Sequence, residues 1–134
     1  MRRHEQREQL FKLLFRVAFN ALDDMPEQVK LFFQDDEIEY TEEVMESIQD
    51  KYTKIQDKLP EIDGLLNEKA EGWNTERMGK VELAVLRIAV YEILYEEDIP
   101  NMVAINEAIE IAKKYGQEAS GGFVNAILAK FISK

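Results

Sequence analysis

The polar pair Asn106–Glu107 stands among apolar residues in the stretch INEAIEIAKKYG. An amide beside a carboxylate could take part in acid–base chemistry. On a helical wheel of about 100° per residue, however, both side chains fall on the polar face. The opposite, apolar face is formed by Ile105, Ala108, Ile109, Ala112 and Tyr115. The pattern therefore predicts a solvated or interhelical polar face, and we assign neither Asn106 nor Glu107 a catalytic role.

Few other residues could support catalysis or hold a metal ion. The chain has no cysteine and a single histidine, His4, so neither a thiolate site nor a set of histidine ligands can form. The sequence contains no GxGxxG, Walker-type, HExxH or GxSxG motif. The acidic loop predicted at residues 35–37 lacks EF-hand spacing. We therefore expect a non-enzymatic protein that needs no metal and no cofactor.

Charge is distributed unevenly along the chain, whose formal net charge is -10. Residues 23–50 contain eleven acidic side chains and one basic side chain, Lys30. Residues 1–22 are basic overall, with Arg2, Arg3, Arg7, Lys12 and Arg16 against two acidic residues. Electrostatic attraction depends on where charge lies and not only on its sum. The N-terminal segment can therefore contact nucleic acid although the whole chain is acidic.

The N-terminal segment also carries two apolar stripes. Leu10, Leu13, Leu14, Val17, Ala18 and Ala21 follow helical spacing and predict an amphipathic helix over about residues 5–22. Phe11, Phe15, Phe19 and Leu22 form a second stripe on another side. The second stripe has two readings. It either packs in a central helix with neighbours on both sides, or forms an aromatic surface that stacks single-stranded RNA beside Arg3 and Arg7.

Helices are also predicted along the middle of the chain. Pro26 fits the first turn of a short helix that ends near Phe33. Thr41 fits the N-cap of the next helix, which we expect to end at Pro60 because proline interrupts helices.

The C-terminal half predicts three further features. Asn74 or Thr75 caps a turn before the block VELAVLRIAVYEIL, whose length favours a buried helix. Gly116 fits a position of positive φ after the following helix. Ser120 is expected to cap the last helix. The predicted core stripe of that helix is Phe123, Val124, Ile127, Leu128 and Phe131.

Length and composition indicate one helical domain. The chain has 134 residues, of which 46% are apolar and 33% charged, as in ordinary globular proteins. The polar span 67–74 is the predicted seam between two helical subdomains, about 1–70 and 71–134. No apolar run is long enough to cross a membrane, and the charged N-terminus does not suit a secretory signal. We expect a cytoplasmic protein.

Residues 81–128 resemble the NusB family of bacterial transcription antitermination factors, in the runs VELAVLRIAVYEILYEEDIPNMVAINEAIEIAKKYG and SGGFVNAIL. The opening, residues 2–8, is similar to the arginine-rich start of that family. The resemblance implies an all-α bundle of about seven helices in two packed helical subdomains. It also implies binding to the boxA element of nascent RNA together with the small-subunit ribosomal protein NusE, in the RNA polymerase antitermination complex. It leaves open whether the chain is a monomer or a homodimer.

By position, the resemblance implies RNA contacts at Arg2, Arg3, Arg7, Phe15, Ser120 and Phe123, and protein-partner contacts at Phe15, Glu76 and Glu82. Arg7, Phe15 and Phe123 are expected to line one surface. Phe15 stands where the family usually has tyrosine, which keeps a ring but loses a hydroxyl. Further departures from the family pattern are at Glu5, Ala119, Gly122 and Ala126. They indicate weaker or redistributed RNA contacts.

Two alternatives share the expected fold. The first is an acidic helical protein–protein interaction module that has lost RNA binding. The second is a detached RNA-binding domain like that of ribosomal RNA cytosine methyltransferases. The length of the chain argues against a whole methyltransferase, because no room remains for a methyl-donor domain.

Overall fold

The computed structural model describes residues 1–35 and 38–132, and every regular element within them is helical. The six α-helices are α1 (Arg3–Phe15), α2 (Met25–Phe33), α3 (Glu42–Lys69), α4 (Lys80–Tyr95), α5 (Asn101–Tyr115) and α6 (Ser120–Ile132). Two 3-10 helices, Arg16–Phe19 and Leu22–Asp24, lie between α1 and α2. The predicted all-α class is confirmed, with six α-helices in these residues where about seven were expected. Asp36 and Glu37 of the predicted acidic loop lie outside the described residues.

The chain forms two compact units, Met1–Gln56 and Asp57–Lys134. The division falls inside α3, so the first half of this helix belongs to the first unit and its second half to the second unit. The sequence placed a subdomain boundary near residue 70, where α3 ends, and that boundary stays a prediction.

The first helix is shorter than predicted. α1 ends at Phe15 and a 3-10 turn follows, whereas the apolar pattern extended the helix to residue 22. The side chain of Asn20 donates a hydrogen bond of 2.9 Å to the carbonyl oxygen of Arg16, and Asn20 itself is extended. Asparagine side chains compete in this way with helical hydrogen bonds. Burial agrees with the early end, because Leu10 to Leu14 reach the core whereas Ala21 is exposed.

Two predicted helix starts are confirmed. Pro26 lies in the first turn of α2, where the missing N–H is not needed. The Thr41 hydroxyl accepts a hydrogen bond of 3.2 Å from the backbone N–H of Val44 and so caps the start of α3.

The expectation that Pro60 ends a helix is wrong, because α3 runs through it to Lys69. An internal proline removes one backbone hydrogen bond and costs about 3 kcal/mol. Four apolar side chains at helical spacing around it are buried: Ile55, Leu59, Ile62 and Leu66. Full burial of such a side chain contributes about 1.5–3 kcal/mol, so this stripe outweighs the cost of the proline.

The core of the second unit is formed by α4, α5 and α6, which contact one another pairwise. Most of α4 is buried, as predicted from its apolar block. Arg87 of α4 forms two hydrogen bonds, of 2.9 and 2.7 Å, with the carboxylate of Asp63 in the second half of α3. Such a bidentate pair fixes direction as well as distance and holds α3 against α4.

Gly116 follows α5 as predicted, but its conformation differs from the prediction. Its φ of -98° is open to any residue, so positive φ is not the reason for a glycine here. A Cβ on Gly116 would stand 2.5 Å from the hydroxyl oxygen of Ser120 and 2.7 Å from the carbonyl oxygen of Ala112. Glycine is required because the chain passes too close to these atoms.

Candidate nucleic-acid interface

The basic opening of the first unit differs in exposure from one arginine to the next. Arg2 and Arg3 are exposed at the start of α1, and no side chain caps this helix end. Arg7 is half-buried and already has an interaction partner. Arg2 and Arg3 are therefore the more available cations, whereas Arg7 combines a charge with a structural contact.

The aromatic stripe of α1 divides at the end of the helix. Phe11 is buried in the core, Phe15 is half-buried, and Phe19 is 62% exposed. The ring of Phe15 lies 5.9 Å from that of Phe11 and 5.0 Å from that of Phe19, measured between centroids. The first ring of this stripe therefore packs inside and its last ring faces solvent, and stacking of RNA on the exposed ring stays a prediction.

A pocket beside Phe15 was not found from the sequence. It is lined by Gln9, Lys12, Phe15, Arg16, Phe32, Asp35, Ile38 and Tyr40. The Tyr40 hydroxyl donates a hydrogen bond of 2.9 Å to the side-chain oxygen of Gln9. Burial, and secondly the charge of Asp35, raise the pKa of Tyr40. The hydroxyl therefore remains a neutral donor, and the pocket has an aromatic wall with a polar side.

The guanidinium of Arg16 is held at this pocket by several contacts. It lies 5.3 Å from the centroid of the Phe32 ring and donates hydrogen bonds to the backbone and side-chain oxygens of Gln28, at 3.3 and 3.1 Å. Arg16 therefore has a structural role in packing α2 against the end of α1.

Ser120, a predicted RNA contact of the second unit, is 2% exposed. Its hydroxyl donates a hydrogen bond of 2.6 Å to the carboxylate of Glu82 and accepts one of 2.9 Å from the N–H of Gln117. Both hydrogen-bonding functions of the hydroxyl are thus used inside the protein. The contact joins the first turn of α6 to the first turn of α4, which suits a positioning role. A direct role in RNA binding stays a prediction.

The two predicted partner-contacting carboxylates of the second unit differ in environment. Glu76 is exposed. Glu82 is half-buried, accepts the bond from Ser120, and lies against Gly79, where its carboxylate occupies the space of a Cβ. Glu82 therefore has an internal function at the start of α4, and a partner contact there stays a prediction.

Phe123 is half-buried in the first turn of α6 and contacts the ring of Trp73, which was not among the predicted site residues. Its centroid lies 5.3 Å from that of Trp73, with the two planes at 75°. Trp73 is 47% exposed, and the guanidinium carbon of Arg77 lies 5.6 Å from its centroid. The sequence held one indication that Trp73 could be functional: it is the only tryptophan of the chain and lies in the polar span 67–74.

Neither a metal site nor a membrane span is found in residues 1–35 and 38–132. No group of three or more metal-binding side chains converges there. None of the helices in this part of the chain is both long and apolar enough to cross a membrane.

The sequence matches a known protein family over most of its length. Residues 4–133 match the NusB family. A protein of Agathobacter rectalis named transcription antitermination protein NusB is 49% identical over 131 residues, which cover 98% of this chain and 99% of that protein.

Solved structures agree with the same fold. T. maritima NusB has a TM-score of 0.85 at 38% identity, covering 97% of this chain and 89% of its own. A structure of the antitermination factors NusB and NusE in complex with dsRNA has a TM-score of 0.80 at 23% identity and covers 96% of each chain. At that identity the likeness shows the fold alone.

Proposed function

This chain belongs to the NusB family, and from that premise we propose that it is a transcription antitermination factor. In this proposal it binds boxA-type RNA together with the ribosomal protein NusE and supports processive transcription of ribosomal RNA operons. The observation that carries the proposal is the near-full-length identity to a relative named as such a factor. The names of the relatives favour this function over the methyltransferase-domain alternative.

The chemistry of the chain supports RNA as one ligand. Arg2 and Arg3 present exposed cations at an uncapped helix start, and on the same unit the half-buried ring of Phe15 packs against the exposed ring of Phe19. Phosphate contacts dominate the affinity for nucleic acid, and aromatic rings stack unpaired bases. This basic opening is small on an acidic protein, so we expect weak binding to RNA alone and tight binding when NusE is present.

The proposal is tested by titrating labelled boxA-type RNA with the protein, with and without NusE, at two salt concentrations. We expect NusE to raise the affinity, and higher salt to lower it. Equal affinity with and without NusE would contradict the cooperative scheme. Absence of binding under all four conditions would refute the RNA-binding function itself.

The role of the basic opening is tested with Arg2→Ala and Arg3→Ala. Each should weaken binding to all RNAs and flatten the plot of log affinity against log salt by about 0.7 per lost phosphate contact. The matched control is Lys30→Ala, which removes an exposed cation from the same unit. If Lys30→Ala weakens binding as much as the arginine variants, the effect is one of overall charge and not of a local site.

Arg7→Ala is expected to weaken RNA binding as well, but it also removes an internal contact. Its thermal unfolding must therefore be measured beside its affinity. Normal affinity with an unchanged salt slope would remove Arg7 from the site.

The protein-partner contact is tested at Glu76 and Glu82 with different substitutions. Glu76 is exposed, so Glu76→Lys reverses a charge at little structural cost. Glu82 accepts the bond from Ser120, so Glu82→Gln is preferred because it keeps an oxygen acceptor and removes the charge. Both should weaken the complex with NusE before they affect RNA. An unchanged affinity for NusE in both variants would place the partner elsewhere.

A further inference from the structure

The turn between α3 and α4 holds an exposed tryptophan in a fixed position. We call residues 70–78 the Trp73 turn. The N–H of Trp73 donates to the carbonyl oxygen of Ala70 at 2.8 Å, and the N–H of Arg77 donates to the side chain of Asn74 at 3.0 Å. Ala70 and Met78, at the two ends, are buried. The turn is thus anchored at both ends and hydrogen-bonded between them, although its central ring faces solvent.

Gly72 gives the turn its shape. Its φ is +79° and a Cβ there would meet no atom within 4 Å. Glycine adopts this left-handed conformation without strain, whereas other residues rarely do. The side-chain amide oxygen of Asn67 accepts a bond of 2.8 Å from the N–H of Thr75 and ties the turn to the last part of α3.

The neighbours of the indole combine aromatic and cationic chemistry. Phe123 meets the indole in a T-shaped contact and fixes its orientation. Arg77 is exposed and its guanidinium lies beside the indole, with one long hydrogen bond of 3.5 Å to the carbonyl oxygen of Gly72. A guanidinium has five N–H donors, so most remain for a ligand.

The local charge permits an anion at this place. Residues 67–80 contain three acidic side chains, Glu68, Glu71 and Glu76, and three basic ones, Lys69, Arg77 and Lys80. This balance contrasts with the strongly acidic residues 23–50. A phosphate approaching the Trp73 turn therefore does not meet the local excess of negative charge found in the first unit.

We propose that Trp73 stacks an unpaired RNA base and that Arg77 contacts the phosphate of the same strand, with Phe123 holding the indole in place. This inference rests on the proposed function and adds Trp73 and Arg77 to the RNA contacts expected at Ser120 and Phe123 of the same unit. Proteins that bind single strands combine such groups: the aromatic ring stacks a base and the guanidinium contacts a phosphate. A protein partner would instead favour an anchor ring surrounded by contiguous contacts that exclude water. The residues that flank Trp73 in sequence, such as Glu71, Asn74 and Glu76, are polar and exposed.

The single tryptophan makes the site directly observable. Because Trp73 is the only tryptophan of the chain, all indole fluorescence of the protein comes from this turn. Adding unlabelled single-stranded boxA-type RNA should quench this fluorescence, with a midpoint equal to that of binding measured by anisotropy of labelled RNA. The same RNA in a perfect duplex should quench much less, because its bases are already stacked.

Variants test whether the ring contributes to binding. Trp73→Ala should weaken single-stranded RNA binding by about 5- to 150-fold, the range for loss of one stacked base. Trp73→Phe keeps a ring and should retain most of the affinity, and far-UV circular dichroism checks that both variants are folded. Arg77→Ala should lower the salt slope by about 0.7. Lys130→Ala, which removes an exposed cation of the same unit, should leave that slope unchanged.

The outcomes separate this inference from the proposed function. If wild-type protein binds RNA by anisotropy, but its fluorescence is unchanged and Trp73→Ala binds normally, the stacking site is refuted and the proposed function stands. If RNA does not bind even with NusE, both fail.

A third result would assign Trp73 to a protein contact. In that case NusE without RNA changes the indole signal, measured against the complex of Trp73→Phe, and Trp73→Ala weakens only the protein complex. This result also overturns the inference.

Discussion

The Phe15 region of the first unit and the Trp73 turn of the second unit present aromatic rings in different ways. Phe15 and Phe19 extend from the end of α1 into a 3-10 turn, and the opposite end of the same helix begins without a side-chain cap. Trp73 and Phe123 are held by a hydrogen-bonded turn and by the Ser120–Glu82 contact at the start of α6. The comparison indicates that the second unit holds its aromatic rings in a fixed geometry, whereas the last ring of the first unit lies exposed in a 3-10 turn.

The largest effect on the fixed geometry of the second unit is expected from Gly116→Ala. Its new Cβ would clash with Ser120 and with the backbone oxygen of Ala112, and overpacking costs about 1–3 kcal/mol or more. We expect a loss toward the upper end in denaturant unfolding, because one of the clashing atoms is backbone. Gly122→Ala is the matched control, since a Cβ there meets nothing within 4 Å. Equal stability of the two variants would show that the start of α6 can shift.

A second test removes the hydrogen bond between α6 and α4. Ser120→Ala leaves the Glu82 carboxylate and the Gln117 N–H without this partner, at a cost of about 1–3 kcal/mol. The control Ser47→Ala changes an exposed serine of α3 and should stay within about 0.5 kcal/mol of wild type. If Ser120→Ala unfolds at the same denaturant concentration as this control, the contact does not fix the site.

A pair of tyrosines tests how completely the first unit satisfies its polar groups. The Tyr52 hydroxyl is buried and has no hydrogen-bond partner among the residues described, so Tyr52→Phe should be neutral or stabilising. Tyr40 donates to Gln9, and Tyr40→Phe should cost about 0.5–1.5 kcal/mol. Thermal unfolding of both variants measures the difference. The reverse order of stability would indicate that Tyr52 has a partner such as bound water.

The smallest expected effect is a dependence of stability on alkaline pH. Burial raises the pKa of Tyr52 above the ordinary value of 10.0, so the folded state holds this phenolic proton more tightly than the unfolded chain. The associated stability is complete below the unfolded pKa and is lost as the pH rises through the folded pKa. Tyr52→Phe should therefore reduce the fall of the unfolding free energy as the pH rises from the unfolded pKa to the folded pKa. An unchanged slope would show that Tyr52 does not contribute.

Local patterns predicted the helices and several of their starts. The apolar block of α4, the cap at Thr41 and the turn capped by Asn74 were all read from residues close together in sequence. The prediction that the helix ends at Pro60 was wrong, because burial of the apolar stripe around Pro60 outweighs the local penalty of proline. A propensity rule does not include that tertiary contribution.

The contacts of the candidate site were less predictable, because they join distant residues. Ser120 and Glu82 are 38 residues apart, and Trp73 meets Phe123 from another helix. Family resemblance named Ser120, Glu82 and Phe123, but neither their mutual contacts nor the addition of Trp73 followed from it. The conformation of Gly116 shows the same limit, since its need for glycine comes from the nearby Ser120 side chain and the Ala112 carbonyl and not from its own φ.

The proline inside α3 also has a consequence for amide hydrogen exchange. Pro60 has no N–H, so the carbonyl oxygen of Gln56 receives no helical bond from it. Gln56 is the last residue of the first unit, so the gap in the hydrogen-bond ladder falls where the two units divide. The division is therefore crossed by one backbone hydrogen bond fewer than in a helix without proline. We therefore expect the amides of α3 before and after the gap to exchange with separate protection levels, each set by the opening free energy of its own unit.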